Sequence, residues 1–130
     1  MKDVQNTVDQ RGIAIQKVGV SEVHLPFLIK TKAGALQSVL AKIRLSVKLH
    51  QDYRGTHMSR FIEILSEWSQ KPVSSREMEA ILHDTLGRLG ADKAYLEFRF
   101  KYFIEKVAPV SRLKSVLDYD CLFSASLEKD

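Results

Sequence analysis

The chain has 130 residues, 45% of them hydrophobic and 28% charged, with a formal net charge of +4. That composition suits one globular domain, and the mild excess of base fits a nucleotide, RNA or another acidic partner without demanding one. No apolar run reaches the roughly 18 residues of a membrane span, Met1-Lys2-Asp3 opens no apolar leader, and the single cysteine excludes an internal disulfide, so a cytoplasmic protein is expected.

Residues 1–20 carry few periodic apolar positions and read as an extended arm; residues 21–130 read as a single module. Val23 to Thr31 is a strand, with Pro26 marking an edge or a bulge. Lys32-Ala33-Gly34-Ala35 supplies a turn. Then Val39, Ala41, Ile43, Leu45, Val47 and Leu49 alternate with Leu40, Lys42, Arg44, Ser46, Lys48 and His50, the period of a half-buried antiparallel strand.

The period then changes to that of a helix. Met58, Phe61, Ile62, Leu65 and Trp68 form one apolar stripe, and Lys71-Pro72 ends it. Ser74-Ser75-Arg76-Glu77 is a capping box, with Val73 and Met78 placed as a hydrophobic staple. Met78, Ile81, Leu82, Leu86 and Leu89 continue as a second stripe, which Gly90 closes as a left-handed cap. Helices joined by so short a link lie antiparallel. Leu96, Phe98, Phe100, Tyr102 and Ile104 then alternate with polar neighbours, and so, after Pro109, do Leu117, Tyr119, Cys121, Phe123, Ala125 and Leu127. The order β-β-α-α-β-β gives an α+β fold: a four-stranded antiparallel sheet with two antiparallel helices on its apolar face. Its other face would carry Lys42, Arg44, Lys48, His50, Arg99 and Lys101, either as a solvated surface or as a basic wall.

Two segments carry candidate chemistry. Thr56, His57, Ser59 and Arg60 sit at a helix start, where free backbone N–H groups and the positive dipole end favour an anion. They read either as a cap with solvated neighbours or as a phosphate clamp, in which Arg60 supplies a planar fork and His57 a near-neutral imidazole. Ser111 and Lys114 stand in the loop before the last strand and could also serve an anion; the alternative is an ordinary hairpin loop. His24, His50, His57 and His83 share no metal-ligand spacing, and Cys121 has no Cys-x-x-Cys companion. Cys121 and Trp68 read as core residues, and Phe98, Phe100 and Tyr102 lie on the helix-packed face, so RNA binding by base stacking is not expected.

Gly55-Thr56-His57-Met58-Ser59-Arg60-Phe61 resembles a signature of the type IB GTP cyclohydrolases. So do Asp3-Val4-Gln5-Asn6, Arg11-Gly12-Ile13, Val18-Gly19-Val20, Ala108-Pro109-Val110-Ser111 and Leu117-Asp118-Tyr119, in family order across the chain. The resemblance implies the tunnelling fold (T-fold), in which several such sheets close into a barrel through their edges. It implies conversion of GTP to 7,8-dihydroneopterin triphosphate and formate, at the head of tetrahydrofolate or queuosine biosynthesis, in homotetramers with sites between subunits. It also implies a divalent metal, Zn or Mn, whose ligands and Cys-Pro-Cys-Ser-Lys run lie in a second half that this chain lacks. The chain would then supply substrate contacts through Thr56, His57, Ser59, Arg60, Ser111 and Lys114, hold no metal, and need its own C-terminal half for activity. The family pattern has glycine where Arg112 stands. A catalytically inactive binding or structural module is the alternative.

Overall fold

The computed structural model describes residues 17–49, 58–107, 110–112 and 114–130. Four strands, β1 (Lys17–Lys30), β2 (Leu36–Lys48), β3 (Lys93–Val107) and β4 (Lys114–Glu128), form one antiparallel sheet in sequential order. Between β2 and β3 come α1 (Met58–Trp68) and α2 (Ser75–Leu89). The expected element order and fold class hold. β1 begins earlier than read from sequence, taking Lys17–Val20 from the segment assigned to the arm; residues 1–16 lie outside the described residues.

The alternation in β2 sends Val39, Ala41, Ile43, Leu45 and Val47 into the core, where they meet Phe61, Ile64 and Leu65 of α1 and Met78, Ile81, Leu82 and Leu89 of α2. Phe27 and Phe98 meet edge to face at 4.8 Å in this cluster. The α1 stripe differs from the expected one by a rotation. Ile64 is buried and Ile62 is exposed, because only about 100° of helix surface faces the sheet and Phe61 and Leu65 centre it. In α2 the buried set includes Thr85, whose hydroxyl donates to the Ile81 carbonyl at 2.7 Å and so is not stranded in the core.

Local signals act as expected at both ends of α2. The capping box forms: the Glu77 carboxylate accepts from the Ser74 N–H at 3.0 Å and from its hydroxyl. Gly90 takes the left-handed conformation (φ 58°) that a side chain would resist. Val73, one half of the staple, has a second task. Its N–H donates to Leu28 O at 2.8 Å and its carbonyl accepts from Lys30 N–H at 2.9 Å, so it covers part of the outer edge of β1.

Pro26 is in phase with Leu28 and Lys30, whose main-chain groups point outward to Val73, so its missing N–H costs no ladder bond. The irregularity in β1 lies instead between Val20 and Val23, where Glu22 has a positive φ of 57°.

The two hairpins do not pair along their whole length. β1 and β2 stay in register out to Lys30 and Leu36, and β3 and β4 out to Val107 and Lys114. β2 and β3, however, pair only over Lys42–Lys48 and Lys93–Arg99. Beyond that the Gln37 side-chain amide stands in for a strand: it donates to Phe103 O at 2.8 Å and accepts from Phe103 N–H at 2.7 Å.

Two expected core residues are corrected by the reach of the helices. Cys121 is only partly buried, because it lies opposite Phe100, where helix cover gives out. Trp68 is also partly buried. It sits between the helices, its indole N–H donating to Asp84 at 2.8 Å and the Lys71 ammonium lying 4.1 Å from the ring centroid.

Candidate functional site

Of the residues read as an anion site, Thr56 and His57 lie outside the described residues. Ser59 and Arg60 are exposed on the first turn of α1. Arg60 reaches across to α2, its guanidinium donating to the Arg88 carbonyl at 3.2 Å. A cation there meets the unsatisfied carbonyls and the negative dipole end of α2. Arg88 in turn forks to Glu67 and to Asp84, the latter at 2.9 Å. The Arg88 hydrogen bond holds the Glu67 carboxyl below its ordinary range. Arg60 therefore joins the two helices, a role that sequence alone did not suggest.

Ser111 and Lys114 stand at the far end of the molecule, in and just beyond the β3–β4 turn; Lys114 opens β4 and only its backbone is described. Arg112 between them has φ 59°. That is the left-handed region, where a glycine would be unstrained and this chain carries an arginine.

The two groups are not brought together within one copy. Arg60 contacts Arg88, five residues before β3 begins, whereas Ser111 follows its end. β3 has 15 residues, so at about 3.3 Å per residue they stand on the order of 50 Å apart.

The face away from the helices is less basic than the sequence suggested. Lys42 pairs with Glu22 at 3.4 Å, Arg99 with Glu97 at 2.9 Å, Lys93 with Glu128 at 3.3 Å, and Lys101 with Asp118 at 3.5 Å. Register explains part of this, since Lys101 lies opposite Asp120 and Lys93 opposite Glu128. Arg44 and Lys48 have no ion-pair partner among the described residues. The described residues gather no group of three or more His, Cys, Asp or Glu side chains placed to hold a metal ion, and His50 and His57 lie outside them. No helix among them is long and apolar enough to cross a membrane.

A sequential four-stranded antiparallel sheet backed by two helices, in the order β-β-α-α-β-β, is consistent with a T-fold-like α+β module. A family model described as type I GTP cyclohydrolase folE2 matches residues 1–130, and the chain belongs to that family. It is similar to the GTP cyclohydrolase FolE2 of Citrifermentans bemidjiense, at 46% identity over 127 residues, covering 98% of this chain and 47% of that protein. The FolE2 of Geotalea uraniireducens is 45% identical over 130 residues, covering 100% and 48%. That of Thermotoga maritima is 44% identical over 130 residues, covering 100% and 49%. The chain thus spans about half the length of the curated relatives it matches.

Proposed function

We propose that this chain is the substrate-contacting and assembling half of a GTP cyclohydrolase that converts GTP to 7,8-dihydroneopterin triphosphate and formate. The observation that carries this is the family match over the whole chain, at half the length of its relatives. The divalent metal, Zn or Mn, belongs in this reading to the part of the relatives that the chain does not match. A metal bound there would supply hydroxide from water near neutral pH.

The work left to this chain is to bind and orient. Ser59, Arg60 and the backbone N–H groups at the start of α1 donate to phosphate oxygens, with Thr56 and His57 beside them. Ser111 and Lys114 of one copy serve a site to which another copy, or the second half, brings its helix start; their separation within one copy supports that division. Assembly uses sheet edges. The edge of β1 is partly closed by Pro26, the Glu22 irregularity and Val73. Among the described residues β4 pairs with no strand on its outer side over Lys114–Glu128, and an open edge of that length invites pairing.

The test is turnover. The purified chain with GTP and Zn²⁺ or Mn²⁺ should give no fluorescent pterin after oxidation. Adding the separately expressed second half of a FolE2 relative should restore it. Turnover by the chain alone would overturn the division of labour. Silence of the mixture, with both parts folded and associated, would favour an inactive structural module.

A further inference from the structure

Ser46 departs from the alternation of its strand. Its even-numbered neighbours Arg44 and Lys48 are exposed on the open face, yet Ser46 is only 7% exposed. The cause is a bridge across β2. Lys17 on β1 and Tyr95 on β3 lie on either side of β2, and the Lys17 ammonium stands 3.9 Å from the Tyr95 ring centroid, which roofs Ser46 between them. Gly19, opposite Ser46, permits this close approach of strands; a Cβ there would fall 2.2 Å from Leu45 O. Among the described residues the Ser46 hydroxyl has no hydrogen-bond partner, and a hydroxyl buried without one is destabilising unless something else meets it.

The surroundings indicate what that is. Ser46, Ser124, Ser126, Tyr95, Lys17 and Arg44 line one hollow of about 360 Å³. Glu97 also borders it and lies opposite Arg44 in register, but it turns to Arg99 at 2.9 Å. Among the described residues Arg44 is thereby left as a cation without a carboxylate, beside three serine hydroxyls and a second cation. That combination of a planar fork and neutral donors suits a tetrahedral oxyanion.

We infer that the open face of the sheet carries a phosphoryl-binding site formed by Arg44, Ser46, Ser124, Ser126 and Lys17. It lies across the sheet from α1, so it is separate from the contacts proposed at Ser59 and Arg60, and it stands or falls independently of the GTP reading. Its ligand is a small phosphate-bearing molecule, with the phosphoryl group on Arg44 and the hydroxyls.

Inorganic pyrophosphate and AMP are the probes, titrated against the chain at low ionic strength and followed by ³¹P line broadening, with NaCl of matched ionic strength as control. Both should bind; binding of pyrophosphate alone identifies a free phosphate ligand, and binding of AMP as well a phosphate ester. Arg44→Gln should weaken binding about tenfold, the effect of losing a charge-assisted hydrogen bond. Ser46→Ala should weaken it severalfold while raising the ligand-free melting temperature, which a purely structural hydroxyl would not do. The site is refuted if neither probe binds, if matched NaCl abolishes the broadening, or if both variants bind like wild type. It is also refuted if Arg60→Gln removes binding that Arg44→Gln keeps.

Discussion

Along β3 one alternation runs from Ala94 to Ile104, but the two ends of the strand differ. Ala94, Leu96 and Phe98 are buried beneath the helices. Phe100 and Tyr102 are half-buried, and Ile104 is exposed, as are Leu117 (41%) and Tyr119 (45%) opposite on β4. The reverse face of the same hairpin also carries exposed Phe103, Val116 and Leu122. Period two tells which face a residue takes. How far the cover extends is set elsewhere, by the eleven residues of α1 and the fifteen of α2, which are shorter than the strands they lie on once a rise of about 1.5 Å per residue is compared with about 3.3 Å. An apolar surface on both faces of a hairpin is a cost in an isolated chain and a contact area in an assembly.

The sharpest test of this contrast sets one substitution against another. Phe98→Ala removes a fully buried ring from the contact with Phe27, and should cost about 3–5 kcal/mol in chemical denaturation. Leu117→Lys at the bare end should leave the stability of the monomer within about 0.5 kcal/mol, yet shift sedimentation from assembled to monomeric protein. A chain that is already monomeric at tens of micromolar would break the comparison, and so would a large loss of stability on Leu117→Lys.

At the covered end the start of α2 is held by its cap. Ser74→Ala should cost about 1 kcal/mol. The same cap has a pH signature. The Ser74 hydroxyl, and then its N–H, hold the Glu77 carboxyl below its ordinary value of 4.5. A carboxyl that is more acidic folded than unfolded stabilises the fold above its unfolded value, and that contribution is lost as pH falls through the folded value. Melting temperature should therefore decline below about pH 4.5, and Ser74→Ala should flatten that decline. A wild-type profile with the same acid slope as the variant would rule out Glu77 as its source.

Much of the covered end was legible in the sequence because its signals are local. The capping box, the staple, the glycine cap and the β2 alternation each act over a few residues and agree with one another. What was missed depends on elements meeting. Ile64 replaced Ile62 because the position of the sheet fixes which part of a wide stripe is used. Val73 as an edge cover, Gln37 as a strand substitute and Ser46 under its roof all depend on pairing between distant segments. The acid on the open face was present in the sequence as Glu97, Asp118, Asp120 and Glu128, but only register shows Glu97, Asp120 and Glu128 opposite a base, while Asp118 reaches Lys101 diagonally. For the candidate site the motif was recognisable, whereas the contact of Arg60 with the end of α2 has no sequence signature. Arg60 thus has a structural claim as well as a ligand claim, and replacing it would disturb both.

The smallest effect is expected at the tip of the bare hairpin, and it runs in the opposite direction. Arg112 holds φ 59° in the turn between β3 and β4, where a side chain crowds the backbone and glycine does not. Arg112→Gly removes that strain but also makes the unfolded chain more flexible, which offsets part of the gain. The net change should be a stabilisation of about 0.5 kcal/mol, given a left-handed penalty of about 1–2 kcal/mol less a backbone entropy term of about 0.5–1 kcal/mol. Because the tip lies beyond the helices, the gain should appear as slower amide exchange in Phe103–Glu105 and Val116–Leu117, with the exchange of Leu96 and Phe98 unchanged. Uniform slowing across both ends would mean that the hairpin and the helix-covered sheet open as one unit, and the distinction between them would then be one of exposure alone.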